Sequence, residues 1–104
     1  MKAVKVPVGK SAYVVDLDTS LESLQKEVGG YIELFFPYDD FANIAIVCNE
    51  EGKLISLPQN RVVNGALIYG DFLIVNTVDI YSEDGNDFCD LNDEEISLLL
   101  NVFS

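Results

Sequence analysis

Asn43-Ile44-Ala45-Ile46-Val47-Cys48 contains an unbroken apolar run near the middle of the chain. Short apolar runs that are rich in β-branched residues and bounded by turn residues are typical of strands buried inside a sheet. The run from Tyr31 to Phe36 has the same character, and the turn-like segment 37–40 separates the two. We therefore expect interior strands at 31–36 and 43–48, and a further strand at 71–76, where the sequence reads Asp-Phe-Leu-Ile-Val-Asn.

More strands are predicted on both sides of this centre. Residues 3–6 and 12–17 are rich in β-branched and aromatic residues, and they read as an opening hairpin. The segment 53–57 is predicted as another strand, which Pro58 ends because proline has no N–H to donate to a neighbour. Asn64-Gly65 is a favourable pair for a tight turn.

The first of two predicted helices covers about residues 20–28. Thr19, with Glu22 three residues later, forms a capping-box pattern at its start. Gly29 and Gly30 follow the apolar positions and end the helix.

The second predicted helix covers residues 93–103 and begins after Asn92, with Glu95 as its capping partner. Its apolar residues form one stripe, which is expected to pack on the sheet: Ile96, Leu99, Leu100 and Phe103. Leu98 and Val102 widen this stripe, so the sequence allows either a monomer or a homodimer that buries them.

These elements predict an α+β fold. Short strands without regular strand–helix alternation indicate a mainly antiparallel sheet of five or six strands with two helices. With 104 residues, the chain has the size of a single domain, and we expect it to span 1–104.

Charge and composition exclude several classes of function. Eighteen acidic residues stand against six basic ones, with no histidine, and the net charge is −12. Direct nucleic-acid binding through phosphates needs clustered cations, and anionic membranes would repel such a chain. Without a histidine or a nucleophile–base pair, we expect no catalytic residue, no metal site and no cofactor. No signal peptide or membrane span is predicted, and Cys48 and Cys89 are expected to be reduced and buried, so a cytoplasmic location is favoured.

The acidic residues concentrate in the last third of the chain, where no base follows Arg61. Helix capping explains acids in the first turn of the last helix, but it does not explain those in the loop before it. The alternatives are a solvated loop that aids solubility or a surface for a basic partner. The candidate partner-binding residues are Asp79, Glu83, Asp84, Asp87, Asp90, Asp93 and Glu94.

Asn60 and Arg61 form a second candidate site, because they follow directly after a predicted strand end. They read either as a structural motif that ties down the next loop or as a contact for a small ligand.

The sequence resembles a known family over nearly its whole length. The segments that carry the resemblance are 21–33, 47–54, 57–61, 70–75 and the closing acidic helix. The family consists of small domains of unknown function, common in phages, plasmids and gut Firmicutes and often encoded near counter-defence genes. It is also similar to small inhibitors of Cas9-type CRISPR nucleases.

The resemblance implies a counter-defence protein in a bacterial host cell that binds and inhibits a DNA-targeting nuclease. It brings no catalytic residue with it. The net charge of −12 adds a mechanism, because an acidic protein can compete as a DNA mimic for a positively charged channel. The alternative function is a module that sequesters a small signalling molecule.

Overall fold

The fold is described for residues 1–18, 20–38, 43–77 and 88–104 of a computed structural model. The strands are β1 (Lys2–Val6), β2 (Tyr13–Asp16), β3 (Ile32–Phe35), β4 (Ile44–Asn49), β5 (Gln59–Val63), β6 (Ala66–Tyr69), β7 (Phe72–Thr77) and β8 (Phe88–Cys89). The helices are α1 (Leu21–Val28) and α2 (Asp93–Val102).

Six strands form one antiparallel sheet with β7 at its centre. The strand order is β2-β1-β7-β4-β3, and β8 pairs with the end of β7. Ile74 in β7 lies opposite Val4 in β1 on one side and Ile46 in β4 on the other. Strands β5 and β6 form a separate two-stranded sheet. The predicted α+β fold with a mainly antiparallel sheet and two helices is therefore confirmed.

Both faces of the large sheet are covered, which explains why its central strands β4 and β7 are apolar at most positions, with polar residues only at their ends. Helix α1 covers one face, where Leu24 and Val28 pack against alternate residues of β4 and β7. Helix α2 and the β5–β6 hairpin cover the other face, around Ile46, Phe72 and Ile74. Each residue of β4 is buried.

The N-cap of helix α1 lies one residue later than predicted, and the helix begins at Leu21. Ser20 is the N-cap, and its hydroxyl accepts a hydrogen bond from the backbone N–H of Ser23. Thr19, the predicted cap, lies outside the described residues. Gly29 ends the helix with a φ of 80°, a left-handed conformation that glycine adopts without the strain of a Cβ.

The predicted strand at 53–57 is wrong. Residues 51–56 form successive turns instead, in which Ile55 N–H donates to the Glu51 carbonyl at 3.0 Å. Leu54 is 84% exposed, so it does not contribute to the core. The physical reason is that β4 already has β3 and β7 as partners, and neither of its edges is open to a following strand.

Two further predictions about strands need correction. The run 31–36 is not an interior strand: the part of it that forms β3 lies at the edge of the sheet, and Tyr31 is 69% exposed. Pro58 does not end a strand but precedes β5, which contains Asn60 and Arg61. The predicted turn at Asn64-Gly65 is confirmed, and it joins β5 to β6 as a tight hairpin.

Helix α2 agrees closely with its prediction. Asn92 and Glu95 form the expected capping box, and Leu99 and Phe103 are buried against the sheet. Ile96 and Leu100 pack beside them. In the described parts of the chain, neither helix has the length and apolarity that a membrane span requires.

Candidate functional site

Asn60 lies in β5 and connects two distant backbone segments. Its Nδ2 donates to the carbonyl of Val6 and to the carbonyl of Gly70, both at 2.9 Å. These bonds hold the end of β1 and the turn before β7 against the small hairpin.

Arg61 extends this network to the end of the chain. Its Nη1 donates to the Pro7 carbonyl at 3.3 Å and to Asn60 Oδ1 at 2.8 Å. Its Nη2 donates to the Lys10 carbonyl at 2.8 Å and to the Phe103 carbonyl at 3.3 Å. Each terminal nitrogen of the guanidinium carries two N–H groups, so these four bonds engage all of them. Arg61 therefore fastens the β1–β2 loop and the end of α2 to β5.

Most of the predicted acidic surface lies outside the described residues, namely Asp79, Glu83, Asp84 and Asp87. Asp90 is described, and it makes specific contacts at the start of β1. Its Oδ1 accepts the backbone N–H of Lys2 at 2.8 Å, and the N–H of Leu91 donates to the Lys2 carbonyl at 3.0 Å. Asp90 therefore positions the chain just before α2 as well as carrying charge.

Asp93 and Glu94 are exposed in the first turn of α2. Their carboxylates stand where the positive end of the helix dipole favours negative charge. All six lysine and arginine residues belong to the described ranges, and none of them forms an ion pair with Asp93 or Glu94. The only one of the six that pairs with a described carboxylate is Lys5, which contacts Glu27 at 2.7 Å and Asp71 at 3.9 Å.

A cavity beside α2 was not predicted from the sequence. Its volume is about 510 Å³. The described residues that line it are Tyr38, Ile44, Asn92, Glu94, Glu95, Leu98, Leu99 and Val102. Leu98 and Val102 were singled out in the sequence as a wide apolar stripe, but nothing in the sequence placed Tyr38 opposite them. Burial raises the pKa of Tyr38, so its hydroxyl stays protonated at neutral pH.

Asn76 adds an unsatisfied polar atom near this cavity. Its Nδ2 donates to Glu95 Oε1 at 3.2 Å, and the same oxygen accepts the backbone N–H of Asn92 at 2.9 Å. The Oδ1 of Asn76 is buried and has no hydrogen-bond partner among the described residues. Because Oδ1 and Nδ2 belong to one amide, this unpaired acceptor lies close to the Glu95 carboxylate.

The two cysteines are free thiols. Cys48 is buried as predicted, whereas Cys89 is only half-buried. Burial, together with the nearby Glu33 carboxylate, raises the pKa of Cys48 to about 11. Burial and the charges of Asp90 and Glu95 also raise the pKa of Cys89. Both thiols are thus protonated at neutral pH, which makes them poor nucleophiles.

Metal-binding side chains do not gather within the parts of the chain that the structure describes: it contains no group of three or more His, Cys, Asp or Glu residues placed to hold an ion. The carboxylates that line the cavity are two, Glu94 and Glu95, and the rest of its wall is mostly apolar.

The fold and this site define a small acidic α+β domain with both sheet faces covered and a cavity beside its last helix. The particular family is the domain of unknown function DUF3846: its model matches residues 1–104, and the chain belongs to it. The resemblance to a family of small domains of unknown function is confirmed at that level. No curated protein and no solved structure matches the chain.

Proposed function

We propose that this chain acts by binding a cationic protein, and that the partner is a DNA-targeting nuclease of the Cas9 type, which it inhibits as a counter-defence protein. The observation that supports the proposal is the unpaired acidic turn at the start of α2. Asp93 and Glu94 are exposed there, and none of the chain's six basic side chains neutralises them. Carboxylates left in this state are free to attract a basic surface.

The overall charge supports the same proposal. A net charge of −12 on a body whose longest dimension is 36 Å corresponds to about one charge per 3 Å, against about 3.4 Å for one strand of DNA. The charge of the chain is thus of the order needed to compete for a channel that holds a nucleic-acid strand. Channels of this kind are positively charged, and opposite charge speeds the encounter.

The acidic segment 79–90 and the first turn of α2 are adjacent in sequence, so we propose that they act as one surface. Asp90 is the least suitable position at which to test it, because its carboxylate also holds the backbone of Lys2. Glu95 is unsuitable as well, because it belongs to the capping box of α2. Asp93 and Glu94 make neither of these contacts.

The test compares two variants that have the same net charge. The first carries Asp84→Asn, Asp87→Asn, Asp93→Asn and Glu94→Gln, and its net charge is −8, which is −12 with four charges removed. The control removes four exposed acids elsewhere and also has a net charge of −8: Glu22→Gln, Glu33→Gln, Glu50→Gln and Glu51→Gln.

Both variants are assayed for inhibition of DNA cleavage by a purified Cas9-type nuclease, and for the association rate at several salt concentrations. We expect the first variant to bind at least about tenfold more slowly than the parent and to lose most of its salt dependence, because steering acts on the on-rate. The control should stay close to the parent. Equal losses in both variants would reject this surface, and a parent protein that does not inhibit would reject the nuclease as partner.

A further inference from the structure

The cavity beside α2 has a polar end and an apolar wall. The apolar wall consists of Tyr38, Ile44, Leu98, Leu99 and Val102. The polar end consists of Asn92, Glu94 and Glu95. A volume of about 510 Å³ lies within the range of small-molecule sites, which are mostly apolar with a few polar groups that fix orientation.

The polar end offers hydrogen-bond acceptors and lacks a cation. Glu94 is exposed. All lysine and arginine residues lie in the described ranges, and none of them forms an ion pair with Glu94 or Glu95. The Oε1 of Glu95 already accepts two N–H groups, whereas its Oε2 accepts none from the described residues. The Oδ1 of Asn76 lies behind Glu95, but it is buried and Asn76 does not line the cavity, so the acceptors open to a ligand are those of Glu94 and Glu95. A ligand that brings N–H groups to this end can therefore donate hydrogen bonds to the Glu94 carboxylate and to Oε2 of Glu95.

We propose that this cavity binds an organic cation with an apolar body, such as an amphiphilic amine. The apolar body lies against Leu98, Leu99 and Val102, and the ammonium group lies at the carboxylates of Glu94 and Glu95. An anion of the same shape is disfavoured by both carboxylates and by the net charge of −12. This inference does not depend on the protein partner proposed above.

A small cation suits the cavity better than a second copy of the chain. Helix α2 has three acids in its first turn and no base in its last turn. A second copy that packed symmetrically through its own α2 would therefore bring more carboxylates and no positive charge to the polar end. A bare metal ion is also a poor match, because hard cations require about six oxygen ligands and most of this wall is apolar.

The experiment uses three ligands with the same eight-carbon body: octylamine, octanol and octanoate, each below the concentration at which it aggregates. Binding to the full chain is measured by amide chemical-shift changes and calorimetry. We expect shifts at α2 and Tyr38, with octylamine binding about fivefold more tightly than octanol, as one partly exposed ion pair allows. Octanoate should bind more weakly than octanol.

Two variants separate the contributions of the two ends. Glu94→Gln should reduce the preference for octylamine over octanol from about fivefold to about twofold, because the Glu95 carboxylate remains, and should leave octanol binding unchanged. Leu98→Ala should weaken both ligands about tenfold, since it removes apolar contact area. The matched controls are Glu51→Gln and Leu54→Ala. Both follow Asn49, the last residue of β4, whereas the cavity contains Ile44 at the other end of that strand. They should change the binding of neither ligand.

Two results would overturn the inference. One is octanoate binding as tightly as octylamine, because the polar end would then not select a cation. The other is a Leu98→Ala protein that remains folded and binds octylamine like the parent, because the apolar body would then lie elsewhere.

Discussion

Replacing Arg61 with lysine keeps the positive charge but removes the guanidinium fork. In the structure this fork donates four hydrogen bonds, to Asn60 Oδ1 and to the carbonyls of Pro7, Lys10 and Phe103. A lysine ammonium is a compact donor at the end of a flexible stem and cannot reach acceptors on three separate segments at once. We therefore expect Arg61→Lys to lower stability even though the net charge does not change.

The expected magnitude follows from the four contacts. Hydrogen bonds from charged donors contribute about 1.5–3 kcal/mol when buried. Arg61 is half-buried and two of its bonds are 3.3 Å long, so about 0.5–1 kcal/mol for each bond is more appropriate here. Losing three of the four gives about 2 kcal/mol. For a domain of this size, that loss lowers Tm by about 10 °C.

Urea unfolding followed by circular dichroism measures this change, together with Asn60→Ala and the double variant. Asn60→Ala removes two donated bonds and the oxygen that accepts from Arg61. Since the two residues share one bond, their effects should fall short of additivity by about 0.5–1 kcal/mol. The reverse exchange at an exposed turn, Lys53→Arg, is the matched control and should change stability by less than about 0.5 kcal/mol.

The reasoning fails if Arg61→Lys unfolds at the same urea concentration as the parent. If that variant were also to lose binding to a ligand or partner, the residue would be functional. An additive double variant would show that the Asn60–Arg61 contact contributes nothing.

Two further predictions concern the core and the thiols. Phe103→Leu should destabilise the chain by about 1–2 kcal/mol and Phe103→Ala by about 3–5 kcal/mol. The reason is that the Phe103 ring packs edge-on against Phe72, with the ring centroids 5.8 Å apart. A smaller loss of stability in urea unfolding for the alanine variant than for the leucine variant would contradict this prediction. At pH 8, iodoacetamide should modify Cys89 before Cys48, whose pKa is raised to about 11 by burial, and a reducing agent should leave stability unchanged. Mass spectrometry of timed samples decides the order, and faster labelling of Cys48 than of Cys89 would contradict this prediction.

The central strands were predictable because four or five successive residues in each of them meet the same requirement. β4 and β7 lie between two covered faces, so apolar side chains are needed at successive positions. A run of this kind can be recognised from the amino-acid sequence alone. The cap of α2 was predictable for a related reason, since Asn92 and Glu95 are three residues apart and interact within one turn.

The segment 53–57 has an apolar pattern like that of the central strands, but it does not form a strand. Its apolar residues satisfy the local pattern, yet strand formation also needs a free edge, and pairing with β3 and β7 had taken both edges of β4. Which edges are free depends on contacts between segments far apart in sequence. Local propensity therefore gave way to tertiary structure here.

The same limit applies to the candidate sites. The sequence marked Asn60 and Arg61 as a pair but left open what they contact, because their partners lie up to 54 residues away. It marked Leu98 and Val102 as surplus apolar surface, but Tyr38 and Asn76 come from other elements. Only the folded chain places an aromatic wall and an unpaired amide oxygen beside α2.

The surplus apolar surface of α2 also shows how charge selects an occupant. Leu98 is 48% and Val102 is 56% exposed, so a symmetric dimer would newly bury about half of each side chain in both copies. Complete burial of such a side chain contributes about 1.5–3 kcal/mol, which makes the total about 3–6 kcal/mol. Association costs at least about 4 kcal/mol, and the unpaired carboxylates of two first turns add repulsion. A small cation buries the same two residues and orders far less protein surface. It also supplies the positive charge that would pair with the carboxylates of Glu94 and Glu95. Leu98 and Val102, which suggest self-association in the sequence, are therefore better suited to binding a ligand in the folded protein.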